Sequence, residues 1–480
     1  MFDGVFVATN DSTRDEHPHT HSVGGKALET HEEQPSDSQG DAVAVPTSRE
    51  STQASDGIDN GTEHRRLIET ESSDQEIKAG TLSVWEATVA IANILIGSSI
   101  LTLPYAFRKC GWVALAVLLG VCGVMTFTGL AVGQTLSAAE PRFAADATPV
   151  GSRDFAALGT MAWGTRGGAF VAVVFMLELV AIAMTYFLLI GVNMGILTGM
   201  PASWSIIASG VVTFFLSNLR IKFLASLSLI SVAAIIGSAA ALILSGVVNF
   251  VNDDVLDDFN SFHENVRVHG LLVAFGLSAF CFAGHACLPS IYWSMRDTSQ
   301  YGKACVGGFA ISCAFFLAVG GVGYFLFGSH MHQVFTANIA VDLDGEVVSQ
   351  ITWVRAVAVA LVTVKFLGTL PLLLLPVFAS LESYALPLSE ESNDGERYAL
   401  RIGVLVVTVV IVLGFQDAVS KVVEATGCGL TMMTSLVFPC AFLCTIATVS
   451  TRVRLAAIVL CILGVLFGLM GTLDALGASP

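Results

Sequence analysis

Charge is what this sequence has least of. Only 13% of its 480 residues are Asp, Glu, Lys or Arg, where a soluble domain carries about 25%. Residues 111–139, 179–219 and 425–451 contain none at all. Each of these stretches exceeds the roughly 20 apolar residues that cross a bilayer. With 54% of the chain hydrophobic, no single soluble core would bury so much apolar surface, so a soluble fold is excluded. Bases are scarcer than acids, 23 against 39, and no basic stripe points to nucleic acid. No P-loop, zincin motif or Ser-His-Asp arrangement stands out, which argues against an enzyme and against a bound cofactor or catalytic metal. Pore loops and charged rings, the marks of a channel, are missing too. Most of the ten cysteines fall inside apolar runs, among them Cys122, Cys313, Cys440 and Cys461. They read as small buried hydrophobes rather than a disulfide framework.

What charge there is concentrates at the start. Residues 1–80 hold 17 acids and 6 bases, a balance of −11, and the remaining 400 residues carry −5. This polar segment has few aromatics and no signal-peptide pattern, and it reads as a disordered acidic cytosolic tail ahead of a membrane domain over 81–476. His17, His19 and His21 read as part of that tail's composition rather than as a metal site. The stretch "EHRRLI" resembles an acidic dileucine sorting signal, with Glu63, Leu67 and Ile68 as the residues a sorting adaptor would read.

The remainder reads as an all-α polytopic membrane protein of about eleven transmembrane helices. The expected spans are 83–107, 111–137, 167–198, 202–218, 222–250, 269–294, 303–327, 351–380, 400–416, 420–447 and 453–474. Orientation follows from Lys and Arg near the ends. A cytosolic tail places Arg220, Lys222, Arg296, Lys303, Arg397, Arg401, Arg452 and Arg454 on the same side as itself. The acidic loops "VNDDVLDDFNSFHENV" and "VDLDGEV" then fall outside. Arg108 and Lys109 run against this pattern, in a very short loop.

Two spans carry helix breakers in their middles. The first contains "NILIGSSILTLPYAF" and the sixth "SAFCFAGHACLPSIYW". Glycine costs a helix interior about 1 kcal/mol and proline about 3. Proline also removes the partner of the carbonyl four residues earlier, here Ile100 and His285. Irregular backbone at membrane depth survives only inside protein or beside a wet cavity. Interrupted helices at matching places in two halves mark a transporter's substrate site. They predict a five-plus-five inverted repeat with an eleventh span appended. Free carbonyls near Leu95 and Ile96 suit a cation, and free N–H groups near Ser98 and Ser99 suit a carboxylate. A zwitterionic amino acid presents both charges.

At these residues the sequence resembles the amino acid/auxin permease family. The first-span "NILIGSSILTLPYAFRKCGW", the sixth-span "FCFAGHACLPSIYWSM", the third-span "MTYFLLIGVNM" and the tenth-span "TGCGLTMMTSLVFPCAFL" carry the likeness. The resemblance implies the leucine-transporter fold and secondary transport of amino acids coupled to H+ or Na+. It implies substrate contacts at Gly97, Ser98, Ser99, Phe280, Gly284 and His285, with Tyr186 a lid over the substrate carboxylate or an aromatic of the bundle. Ala283 stands where many members have an acid. With Ala286 it suggests room and no fixed charge, which favours small or neutral substrates.

Glu178, His285 and Lys365 are ionisable groups at membrane depth, where insertion of a charge costs about 2.5–3.5 kcal/mol. By the same resemblance the eighth span faces the first break and frames a sodium site, with Asn93, Ile96 and Thr369 nearby. The ammonium of Lys365 would stand in for that sodium, or it pairs with Glu178 or reaches toward one face. His285 is of the residue type that titrates near neutral pH, or it bonds backbone freed by Pro289. Glu178 is a proton carrier or a neutral acid bonded to a neighbouring helix. The rival reading is an amino acid sensor that signals through its cytosolic tail. A vacuolar or lysosomal membrane and the plasma membrane both fit.

Overall fold

The computed structural model describes residues 80–148, 150–219, 221–252, 263–342, 345–385, 394–414 and 419–475. The tail features, Glu63, Leu67 and Ile68 included, lie outside these residues.

The first span begins at a capping box. Ser83 N–H donates to Glu86 Oε2 at 2.7 Å and Glu86 N–H donates to Ser83 Oγ at 3.3 Å, which satisfies two of the amides a helix start leaves orphaned. Helix α1 runs Val84–Leu95. It stops where the Gly97 N–H turns back to the Leu95 carbonyl at 2.8 Å. A 3-10 turn, Ser98–Leu101, follows, and α2, Leu103–Cys110, resumes with Pro104 in its first turn. First-turn amides have no acceptor within their helix, so a proline there loses nothing.

The next elements are α3 (Val113–Ala145), α4 (Phe155–Thr198), α5 (Ala202–Ser217) and α6 (Ile221–Asn252). The sixth span repeats the first. Helix α7 (Leu271–Cys281) stops, His285–Cys287 form a 3-10 turn, and α8 (Leu288–Ser294) restarts with Pro289 in its first turn. Then come α9 (Tyr301–Phe327), α10 (Thr352–Ala385) and α11 (Asp394–Gly414). The tenth span joins α12 (Val419–Thr426) to α13 (Phe438–Ile446) through π-helical stretches Gly427–Thr431 and Met433–Val437. Helix α14 (Thr451–Ala475) closes the set.

Among the described residues nine helical stretches are long and apolar enough to cross a membrane, and Val84–Leu95 and Ala202–Ser217 are shorter apolar helices. Counting α1–α2 as the first span and α5 as the fourth gives the eleven expected. Within Phe155–Thr198 a kink at Gly164 sets off a preceding helical segment, and the third span, expected from 167, follows that kink.

The broken spans sit at the centre. Helix α9 packs on α1, α2 and α3, and α10 packs on α4, α5 and α6, while α7 touches α2, α3 and the π-helical stretch. Helices α11 and α14 flank the bundle, with 17% of their membrane windows buried against 56% for the third and sixth spans.

Both ends of the central pair are laced together. On the near side, where the chain enters the first span, Leu82 N–H donates to the Ser294 carbonyl at 2.8 Å and Arg296 N–H to the Leu82 carbonyl at 2.9 Å. Arg296 Nε adds a bond to the Thr81 carbonyl at 2.6 Å. On the far side Trp112 and Val113 N–H donate to the Glu264 and Asn265 carbonyls, both at 3.0 Å, and Arg267 N–H donates to the Cys110 carbonyl at 2.9 Å. Gly111 permits this approach. Its φ is +78°, and a Cβ there would collide with the Glu264 carbonyl.

Candidate functional site

The two breaks meet at one cavity of about 80 Å³. At 10–15 Å³ each, it has room for roughly five to eight waters. The first break contributes Ile94, Leu95, Gly97, Ser98 and Ser99, and the second contributes Phe280, Ala283, Gly284, Ala286 and Cys287. Phe175, Glu178, Leu179, Ile182 and Tyr186 come from α4, and Leu373 from α10. One carboxylate, Glu178, stands on this wall, with no Lys, Arg or His.

Ser98 and Ser99 open the 3-10 turn, so their amides have no acceptor within it. The carbonyl side differs from expectation at Leu95. That of Leu95 is taken by the Gly97 N–H, and the Ile96 N–H still reaches Ala92 O at 2.9 Å. The carbonyls of His285 and Ile100, expected to be freed by the prolines, accept from the N–H groups of Leu288 and Thr102. A 3-10 turn winds more tightly than an α-helix and brings nearer amides within reach of such carbonyls.

Gly97 sits under Tyr186, since a Cβ there would lie 3.5 Å from Tyr186 Oη. The Tyr186 hydroxyl also faces the side chain and backbone of Ser98. Its ring stands 4.8 Å from that of Phe366 on α10, so Tyr186 joins the first break to the eighth span and packs in the bundle as well. Gly284 abuts α1, where a Cβ would lie 2.8 Å from Ile94 Cγ2.

Glu178 is 3% exposed. Its Oε1 accepts from Thr431 Oγ1 at 3.0 Å, at the end of the first π-helical stretch. Among the described residues the ion pairs are Arg267–Glu264 and Arg401–Glu382, so none joins Glu178 to Lys365. Glu178 is therefore a cavity residue and a partner of a neighbouring helix at once.

His285 is brought near the cavity but turned from it. Its Nε2 lies 2.9 Å from both the Met125 carbonyl and Thr128 Oγ1 of α3, and its ring 5.5 Å from that of Phe309. A carbonyl only accepts, so Nε2 carries the hydrogen. The backbone it bonds belongs to the second span rather than to the carbonyl beside Pro289.

Lys365 and Thr369 lie apart from the cavity wall. Lys365 is buried, and its carbonyl accepts from Thr369 Oγ1 at 2.8 Å and from Ser231 Oγ of α6 at 3.4 Å. The Thr369 hydroxyl thus bonds within its own helix. Asn93 is half-buried and Ile96 buried, and both are off the wall.

Five cavity residues of α4 recur at helical spacing from Phe175 to Tyr186, so extending that period from Glu178 and Tyr186 finds Phe175, Leu179 and Ile182. No comparable signal finds Thr431, because π-helical turns shift the period it would follow.

A family model described as transmembrane amino acid transporter protein matches residues 80–476. Amino acid transporter AVT1D of Arabidopsis thaliana is 27% identical over 391 residues, 79% of this chain and 66% of the relative; the chain thus spans about two thirds of that relative's length. Among solved structures, a mutant of the Eremococcus coleocola manganese transporter superposes with a TM-score of 0.53 at 12% identity, covering 83% of this chain and 90% of that one. Inward-facing Mhp1 does so with a TM-score of 0.53 at 13% identity, covering 82% and 89%. At such identity these likenesses speak to the fold alone, which is the leucine-transporter-like five-plus-five arrangement. With its profile matched across nearly the whole membrane domain, the chain belongs to the transmembrane amino acid transporter family.

Proposed function

We propose that this protein is a secondary active transporter that moves neutral amino acids across a membrane, driven by a gradient of H+ or Na+. The observation that carries this reading is the cavity where both breaks meet, walled by apolar side chains on one side and by the amides that open a 3-10 turn on another. A carboxylate near Ser98 and Ser99 would meet the positive end of a helical turn. The ammonium beside it would meet the Ile96 carbonyl past the end of α1, since that of Leu95 is taken by the Gly97 N–H. The side chain would lie among Phe175, Leu179, Ile182 and Phe280. In this reading Gly97 and Gly284 keep the breaks open, and Tyr186 covers the carboxylate.

The tail over residues 1–80 would lie in the cytosol, on the side where Lys and Arg gather. The dileucine-like Glu63, Leu67 and Ile68 favour a vacuolar or lysosomal membrane. The test is uptake by the purified protein in vesicles, offered a panel of amino acids under a pH gradient and, separately, a sodium gradient. Concentrative uptake under either gradient is expected. Its absence under both, for every amino acid, would remove the proposal.

A further inference from the structure

We propose that Glu178 is the proton-carrying group of the transport cycle, so that a proton crosses with each amino acid. The inference rests on the reading above, that the cavity binds an amino acid whose movement an ion gradient drives.

A carboxylate at membrane depth whose partners are two threonine hydroxyls is poorly compensated, and a buried group in that position takes a proton or finds a cation. Facing Glu178 from the elements around it are Thr431 and Thr434 of the tenth span and Cys287 of the second break. Lys365 on α10 lies off the cavity wall. The basic residues of α11 and α12 sit at the beginnings of those helices. No protein cation therefore neutralises Glu178 among the described residues.

In the pose proposed above the substrate's own ammonium lies toward the other end of the cavity. Tyr186, which marks the carboxylate end of the cavity, follows Glu178 by two turns of α4. Eight residues at 1.5 Å each make about 12 Å along the helix. An α-ammonium stays beside its α-carboxylate, so it remains at the Tyr186 end. Of the two mobile cations left, a proton needs no ligand beyond the carboxyl itself, whereas sodium would need several oxygens where the neighbours are two hydroxyls and a thiol.

The coupling then follows from space. An empty cavity holds several waters, and these solvate an ionised Glu178. A bound amino acid displaces them, after which the closed cavity tolerates the neutral acid and not the carboxylate. On the loading side an O–H bond of hydronium breaks, leaving water, as one forms on Oε2, while Oε1 keeps the Thr431 hydrogen bond. After the cavity opens on the other side that O–H bond breaks, and the proton leaves to water with the substrate. The other candidates fit less well. His285, held to Met125 through Nε2–H, and Lys365 both lie off the cavity wall, so the substrate does not displace water from either.

The test uses the full chain in sodium-free vesicles, with labelled alanine and leucine as probes and a trapped pH dye. A gradient of one pH unit should sustain up to about tenfold accumulation for one proton, with dye and label moving together. Glu178→Gln should fall to about onefold and lose its pH dependence, while Glu178→Asp, which keeps the carboxyl, should retain coupling. Label entering the wild type without proton movement overturns the proposal, whatever the variants do. So does accumulation by Glu178→Gln at the wild-type level, or equal loss in both variants when both elute as folded protein. Absence of any amino acid flux in the wild type sinks the functional reading instead, and is thereby distinguishable.

Discussion

Gly284 in the second break and Ile94 in the first are in contact, and a methyl group added to Gly284 would stand 2.8 Å from Ile94 Cγ2. Gly284→Ala should therefore destabilise the protein by an overpacking cost of about 1–3 kcal/mol. At Gly97 the added Cβ meets Tyr186 Oη at an ordinary 3.5 Å, so Gly97→Ala should melt like the wild type. Gly97→Leu should fold but cut uptake by about tenfold or more, the factor that 1.4 kcal/mol represents. Thermal melting and vesicle uptake of the three variants check this. Identical melting of Gly284→Ala and the wild type would mean that the breaks do not press on each other.

The near-side lacing predicts an effect on dynamics. Leu82→Pro removes the N–H that reaches the Ser294 carbonyl at 2.8 Å, at a net cost of about 0.5–1.5 kcal/mol. Amides at the start of α1 should then exchange with deuterium several-fold faster, which mass spectrometry of peptides covering 83–92 would detect. Unchanged exchange would show that this pairing does not hold the first span in place.

Lys365 is buried, with no carboxylate paired to it among the described residues. A buried ammonium without a partner carries a desolvation cost that an apolar side chain of similar length does not. Lys365→Met should melt at the same temperature as the wild type or higher. A fall of several degrees would reveal a partner for the ammonium and return Lys365 to the coupling mechanism.

On the far side, the hydrogen bond from Arg267 holds the Glu264 carboxyl below the usual carboxylate range. A depressed value in the folded state contributes stability above the unfolded value, about 4.3 for Glu. That contribution disappears as pH falls through the folded value. Exchange of the Trp112 and Val113 amides, corrected for the intrinsic rate, should therefore stay constant from pH 8 to 5 and rise only below that range. Glu264→Gln should show the faster exchange at every pH; protection equal to the wild type would mean that the ion pair does not steady this loop.

Removing residues 1–70 separates transport from signalling. The truncated chain should retain most of its vesicle uptake if the cavity is a transport site. A full-length protein that binds amino acid in equilibrium dialysis but shows no flux would instead be the sensor.

The amino-acid sequence alone determined that this is a helical membrane protein, how many spans it has, and where two of them stop. Lipid offers the backbone no hydrogen-bond partner, so spans announce themselves by length and apolarity. Breaks announce themselves by glycine and proline. The stretch Ile96 to Ser99 and the glycine before His285 were legible for that reason. What only the tertiary structure decided is which way each buried polar group faces. Glu178, His285 and Lys365 are equal suspects in the sequence. Yet Glu178 lines the cavity, His285 bonds the second span, and Lys365 lies off the cavity wall on α10, against α6. A helix turns about 100° per residue, so a boundary uncertain by two residues leaves a side chain's direction open. Only the packing of α4 against the π-helical tenth span turns Glu178 toward both Thr431 and the cavity.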